Sequence, residues 1–238
     1  MRKMLQKVFS FPRKAEAPRR LKKRKSTGQS LVEFALLLPI LLMLFSGMIE
    51  FGFMLNTYLS LLDSTRQAAR LCSNGQPFLS IDTATNPTTY VDDQSFYPYC
   101  AQAVVDSLAP PSDPNARQIV LDPNRDDIIV SVLGVNVDDA THTISFIQRF
   151  PEGFNFFPLY SNQISAYWDP ENPTDEQIII DLMTQSGTPP VETGILIVEV
   201  YHGYKGILKL PWVEAFMNDE NPIMLHASTI MPLVAAKP

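Results

Sequence analysis

One long apolar run limits what this chain can fold into more than any other feature. From Phe34 to Ile49 no side chain is charged, and after Glu50 the apolar character resumes from Phe51 to Leu62. About 20 helical residues, rising ~1.5 Å each, cross a hydrocarbon layer, so residues 34–55 predict a membrane-spanning helix. Glu33 and Glu50 then fall near the two faces of the bilayer. Eleven Lys or Arg lie between Arg2 and Lys25, which predicts a cytoplasmic N-terminus and an extracytoplasmic remainder. Glu33 stands at the start of the run, with no basic residue beyond Lys25 to pair with locally. A carboxylate entering hydrocarbon is costly and needs a partner. A cut after Gly28 would create one, because Gln29 would then carry an α-ammonium four residues before Glu33. In a bundle of such helices, the ammonium of one subunit can sit against Glu33 of a neighbour and set the axial register.

The residues Gly28-Gln29-Ser30-Leu31-Val32-Glu33-Phe34 resemble the processing site of type IV prepilins, where prepilin peptidase cuts after Gly and the mature chain carries Glu at its fifth position. More closely, GQSLVEFALLLPILLMLFSGMIEFG, followed by RQAARLCSNG, is similar to the TadE family of minor pseudopilins from tight-adherence (Flp) pilus systems. The likeness covers residues 28–75, and VEVYHGY and LHASTIMPL look like the family's last two strands. Phe34 stands where the major Flp pilins usually have Tyr, which favours a minor subunit, and residues 150–194 are extra for the family. The resemblance implies a structural protein, not an enzyme, with no cofactor, acting in assembly or initiation of a tight-adherence pilus. It implies cleavage between Gly28 and Gln29, with Glu33 neutralising the new N-terminus. The implied partners are the membrane, prepilin peptidase, other pseudopilins, the pilus subunit and the inner-membrane assembly platform.

The expected fold class is α+β: a long N-terminal transmembrane helix continuing into an outer domain with an antiparallel sheet, the pilin-like architecture. The expected organisation is a basic cytoplasmic leader over residues 1–28, a transmembrane and extended helix over 29–75, and an extracytoplasmic α+β domain over 76–238. A secretory signal competes with the leader, but no small-x-small cleavage site follows the apolar run promptly. An uncleaved signal anchor is the other alternative. Residues 29–238 carry eight basic against 24 acidic side chains, a net charge of −16. Such a surface repels nucleic acid and attracts divalent cations or basic partners.

Past the membrane, Leu59, Leu62, Arg66, Ala69 and Arg70 keep helical spacing, and Ser73-Asn74-Gly75 predicts the stop, with Gly75 free to turn left-handed. Residues 76–95, rich in Thr, Asp, Asn and Pro, predict an exposed loop. Cys100, Val104 and Leu108 stack at four-residue steps and predict a helix over 97–108. Residues 127–136 and 141–150 predict a hairpin, and 194–204 and 223–234 two further strands. Thr174-Asp175-Glu176-Gln177 resembles a capping box opening a short helix to Met183.

The two cysteines, Cys72 and Cys100, both fall outside the membrane, where a bridge is permitted; two separate buried thiols are the alternative. Asp122-Pro123-Asn124-Arg125-Asp126-Asp127 begins like a calcium loop, but the sixth residue is Asp127 instead of Gly and the twelfth is Leu133 instead of Glu. A solvated acidic turn is the expectation, and no metal ligands are assigned. His142, His202 and His226 lack second ligands at metal spacing and read as strand histidines. The aromatic residues 146–168 read as a loop folded over the sheet, or as a sticky surface for a neighbour. The alternative function is a signal-anchored extracytoplasmic binding or adhesion domain without a pilus role. A tethered hydrolase with an unseen active site stands third.

Overall fold

The structure is a computed structural model that describes residues 28–82, 84, 89–113, 115, 118–138, 143–151, 157–167 and 193–233. The chain divides into two compact units, Met1–Leu42 and Met43–Pro238. Helix α1, Gln29–Cys72, runs from the first into the second, and Pro39 lies within it. In the first unit the apolar side chains from Leu31 to Leu42 are exposed. The second unit holds the rest of α1, the hairpin of β1 (Phe78–Asp82) and β2 (Thr89–Asp92), helix α2 (Phe96–Leu108), and a five-stranded antiparallel sheet. The architecture is therefore α+β, a long apolar helix followed by antiparallel sheets.

The sheet consists of β3 (Asp127–Asp138), β4 (Thr143–Phe150), β5 (Phe157–Pro158), β6 (Thr193–Tyr204) and β7 (Ile223–Pro232), in the order β4-β3-β6-β7. β5 pairs with Ile129 and Val130 of β3, beyond the end of β4 on the same edge. The one-turn helix α3, Pro211–Glu214, lies between β6 and β7. Because side chains alternate along a strand, Ile128, Val130 and Val132 share a face with Leu196, Val198 and Val200, and all six are buried in the main core. The opposite face carries Ile129, Leu133, Ile197 and Glu199.

The main core also takes in Leu61, Ala68, Ala69 and Cys72 of α1, which with Thr57, Ser64 and Thr65 make one buried stripe. The spacing read from the sequence gives the helix but not its buried face, since Leu59, Arg66 and Arg70 are exposed. Small side chains at the true stripe let the helix come close to the sheet, where Thr65 Oγ1 and Thr229 Oγ1 share a 2.8 Å hydrogen bond. The buried hydroxyls are satisfied by their own helix: Thr57 donates to the Phe53 carbonyl and Ser64 to the Leu61 carbonyl.

Residues 76–95 are not merely a loop, since β1 and β2 pair there and bury Phe78 and Tyr90. Both rings meet Phe150, at centroid distances of 4.7 and 5.2 Å, and each such contact contributes about 0.5–1.5 kcal/mol. α1 ends at Cys72, and Gly75 past its end does not serve the left-handed turn expected of it. Its backbone is not left-handed; a Cβ there would stand 2.8 Å from Phe96 Cε2, so the glycine provides room for that ring. Cys72 and Cys100 are joined, tying the end of α1 to α2 with their Cα atoms 6.0 Å apart. Closing a loop of this separation contributes roughly 3–4 kcal/mol on a chain-entropy basis. The expected helix from Thr174 to Met183, the hairpin turn with His142, and Phe154, Phe156 and Trp168 lie outside the described residues.

Candidate functional site

The N-terminal site is local and exposed. Gly28 sits in a turn directly before α1, its carbonyl accepts the Val32 N–H at 3.2 Å, and among the described residues nothing beyond its chain neighbours crowds the place of a Cβ. Gln29, the first helical residue, donates from its side-chain amide to Glu33 Oε1 at 3.1 Å. One helical turn thus brings residues 29 and 33 onto one face, and the carboxylate accepts from a neutral amide.

The second carboxylate of the apolar run is held quite differently. Glu50 is 1 % exposed. Its Oε1 accepts from the Tyr204 hydroxyl at 2.5 Å and the Ile207 N–H at 2.7 Å, and its Oε2 from the Leu208 N–H at 2.9 Å. One turn earlier on α1, Ser46 Oγ accepts from the Trp212 indole N–H at 2.8 Å. Just after these two amides the chain turns through Lys209 at φ 45°, a conformation uncommon outside glycine. Gly206 sits in the same turn, where a Cβ would come 3.1 Å from Val213 Cγ1 and 3.8 Å from Glu50 Oε1. Glu50 is therefore a latch between α1 and the segment after β6. The sequence signal for it was a lone carboxylate inside an apolar run, but nothing local named its partners.

The acidic turn at 122–127 is closed on itself. Arg125 Nη2 donates to Asp122 Oδ2 at 3.1 Å. Asp126, fully buried, accepts from the Asp122 and Gly203 N–H groups and bonds His202 Nδ1 at 2.7 Å. Asp127 accepts from the N–H groups of Tyr160, Asn162 and Gln163, where Ser161 turns at φ 60°. These carboxylates are occupied by protein donors. Among the described residues no three His, Cys, Asp or Glu side chains converge as a metal-holding group.

On the far face of the sheet, Glu199 accepts from the Ser165 hydroxyl, the Ala166 N–H and the Tyr201 hydroxyl, and meets His226 Nε2 at 3.1 Å. The Ser165 hydroxyl donates to Glu199 Oε2 and His226 meets Oε1, so the serine proton is given to the carboxylate and not to the imidazole as in a triad. Burial, with the neighbouring Glu199 charge, pushes the Tyr201 hydroxyl far up, so it stays a hydrogen-bond donor. What this cluster does is fasten residues 164–167 to the sheet, helped by the 2.7 Å Tyr167–Ser228 hydroxyl bond.

Asp126 supplies a pH-dependent part of the stability. Burial raises its carboxyl, but the hydrogen bonds from His202, Asp122 and Gly203 and the His202 charge outweigh that and hold it below its ordinary 3.8. A lowered folded value means that this stabilisation is complete above 3.8 and is lost as pH falls through the folded value. Urea midpoints measured from about pH 6 down to about pH 2.5 are expected to fall more steeply for the natural chain than for Asp126→Asn. Equal slopes would assign the acid response to other carboxylates.

Residues 28–70 match the family model of TadE-like proteins. The TadE-like segment thus begins at Gly28, contains Glu33 and Glu50, and ends two residues before Cys72. No curated protein and no solved structure matches the chain. The TadE-like family is a structural, pilus-associated one, and it points this chain to tight-adherence pilus systems. Among the described residues α1 is the helix long and apolar enough to cross a membrane, and as a single N-terminal apolar helix it fits a membrane anchor.

Proposed function

We propose that this protein is a minor pseudopilin: prepilin peptidase cuts it between Gly28 and Gln29, and the mature chain acts in assembly or initiation of a tight-adherence pilus. The N-terminus faces the cytoplasm and the domain after α1 lies outside the cytoplasmic membrane. Its partners are the peptidase, another pseudopilin, the pilus subunit and the inner-membrane assembly platform. The observation that carries this reading is the coincidence of three features at one place. The TadE-like segment starts at Gly28, α1 starts at Gln29, and Glu33 lies one turn in. Gly28 is exposed and lies just before the helix, where a protease can reach it. Once cut, the α-ammonium of Gln29 gives a neighbour's Glu33 the cation that its own turn does not place beside it. The chemistry is done to this protein at residues 28 and 29; it performs none itself.

The test is the N-terminus and intact mass of the membrane-extracted protein, made with and without the cognate prepilin peptidase. A start at Gln29 that depends on the peptidase is expected. A start at Met1 in both samples would leave a signal-anchored extracytoplasmic domain and remove the pseudopilin reading.

A further inference from the structure

The segment that holds Glu50 shows more apolar surface than the latch uses. Ile207, Trp212 and Phe216 are 48 %, 36 % and 75 % exposed. Their height along α1 is set by hydrogen bonds: Ile207 and Leu208 close on Glu50, and Trp212 closes on Ser46. At that height α1 itself exposes Phe45, Met48 and Phe51. Two elements far apart in sequence therefore present apolar side chains at one level of the second unit.

The composition of the segment is that of a membrane interface. An indole with its N–H hydrogen-bonded and its ring partly open suits the headgroup layer, where tryptophan is enriched. Lys205 and Lys209 flank Ile207 and can lay their aliphatic stems along the same surface while keeping their charges in water. The concavity beside them, about 500 Å³, is lined by Lys205 and Lys209 together with Glu214, Asp219 and Glu220. Both signs of charge in one place suit a zwitterionic headgroup better than an anionic one.

We propose that residues 205–217 form a foot resting in the outer interface of a phospholipid bilayer, with Ile207, Trp212 and Phe216 in the headgroup layer and the hydrocarbon boundary crossing α1 near Ser46. This rests on the reading of α1 as a membrane anchor. It moves the span toward the N-terminus relative to residues 34–55, because that span would submerge Glu50 and an irregular, lysine-bearing loop in hydrocarbon. From Gln29 to Ser46 a helix rises about 27 Å, close to the thickness of a hydrocarbon core.

The experiment places single tryptophans in the full chain, reconstituted in phosphatidylcholine vesicles whose acyl chains are brominated near the headgroup. Phe216→Trp and, separately, Phe45→Trp are made in a Trp168→Phe, Trp212→Phe background, and Trp168→Phe alone keeps Trp212 as a probe that leaves the Ser46 bond intact. Loss of emission to brominated lipid at positions 45, 212 and 216, with protection from aqueous acrylamide at 216, is the expected result. Quenching at 45 with position 216 open to acrylamide and untouched by bromine overturns the foot and leaves the anchor standing. Protection of 216 from both quenchers also overturns it, since protein would then be the cover. No quenching at 45 removes the anchor reading, and the foot with it.

Discussion

Glu50→Ala is expected to lower the unfolding free energy of the second unit by about 3 kcal/mol, because it strips the acceptor from two backbone N–H groups and a tyrosine hydroxyl at once. A hydrogen bond to a charged group contributes about 1.5–3 kcal/mol, and the carboxylate accepts three, at 2.5, 2.7 and 2.9 Å. Removing the carboxylate also removes the cost of burying it, which keeps the expected loss well below the sum of the three. Glu50→Gln keeps the shape and one acceptor oxygen but turns an NH₂ group toward an N–H donor. It should fall between the natural chain and the alanine variant. Denaturant midpoints in detergent, followed by Trp212 emission, check the stability; amide exchange at Ile207 and Leu208 checks the place. Since about 1.4 kcal/mol is a factor of ten, those two amides are expected to exchange roughly 100-fold faster in Glu50→Ala. Unchanged midpoints and unchanged exchange would show that the latch contributes nothing to holding residues 205–217 on α1.

The second large effect belongs to Glu33, and it acts on assembly, not on folding. Glu33→Ala is expected to leave processing at Gly28 intact and to reduce the recovered complex with a partner pseudopilin about 100-fold. The estimate follows from the cost, about 3 kcal/mol, of leaving the partner's N-terminal ammonium unpaired in apolar surroundings. Glu33 is exposed and its hydrogen bond comes from the Gln29 amide within the same turn, so little of the fold depends on it. Glu33→Gln separates charge from hydrogen bonding, because it retains an acceptor for Gln29 and loses only the charge. If the pair sets the register, Gln fails as Ala does; if the glutamine variant assembles normally, charge neutralisation is not what Glu33 does. Quantitative co-purification from membranes, with the mature N-terminus read in the same sample, distinguishes an assembly defect from a processing one.

Much of the secondary structure could be read from local pattern. Cys100, Val104 and Leu108 are buried on one face of α2, as four-residue spacing requires. Leu196, Val198 and Val200 turn into the core while Glu199 and Tyr201 turn away, as strand alternation requires. The hairpin β1–β2 was hidden because Phe78 and Tyr90 are lone aromatics in a polar stretch, and what buries them is Phe150 from β4. The buried stripe of α1 was hidden because its hydroxyl and alanine side chains do not read as a hydrophobic face. Their value is their small size, which matters only once a sheet lies against them.

Sequence alone determined the features whose physics is local: an apolar run long enough to span a bilayer, a glycine at its start with a glutamate five residues later, and strand and helix periodicities beyond it. Tertiary structure alone decided the fate of the carboxylates. Glu50 finds its partners 154 to 158 residues away, Asp126 finds His202, and Glu199 finds Ser165 and His226. A buried charge is tolerated only where the fold delivers donors to it, and which donors arrive is set by how the strands pair and where the chain between β6 and β7 turns.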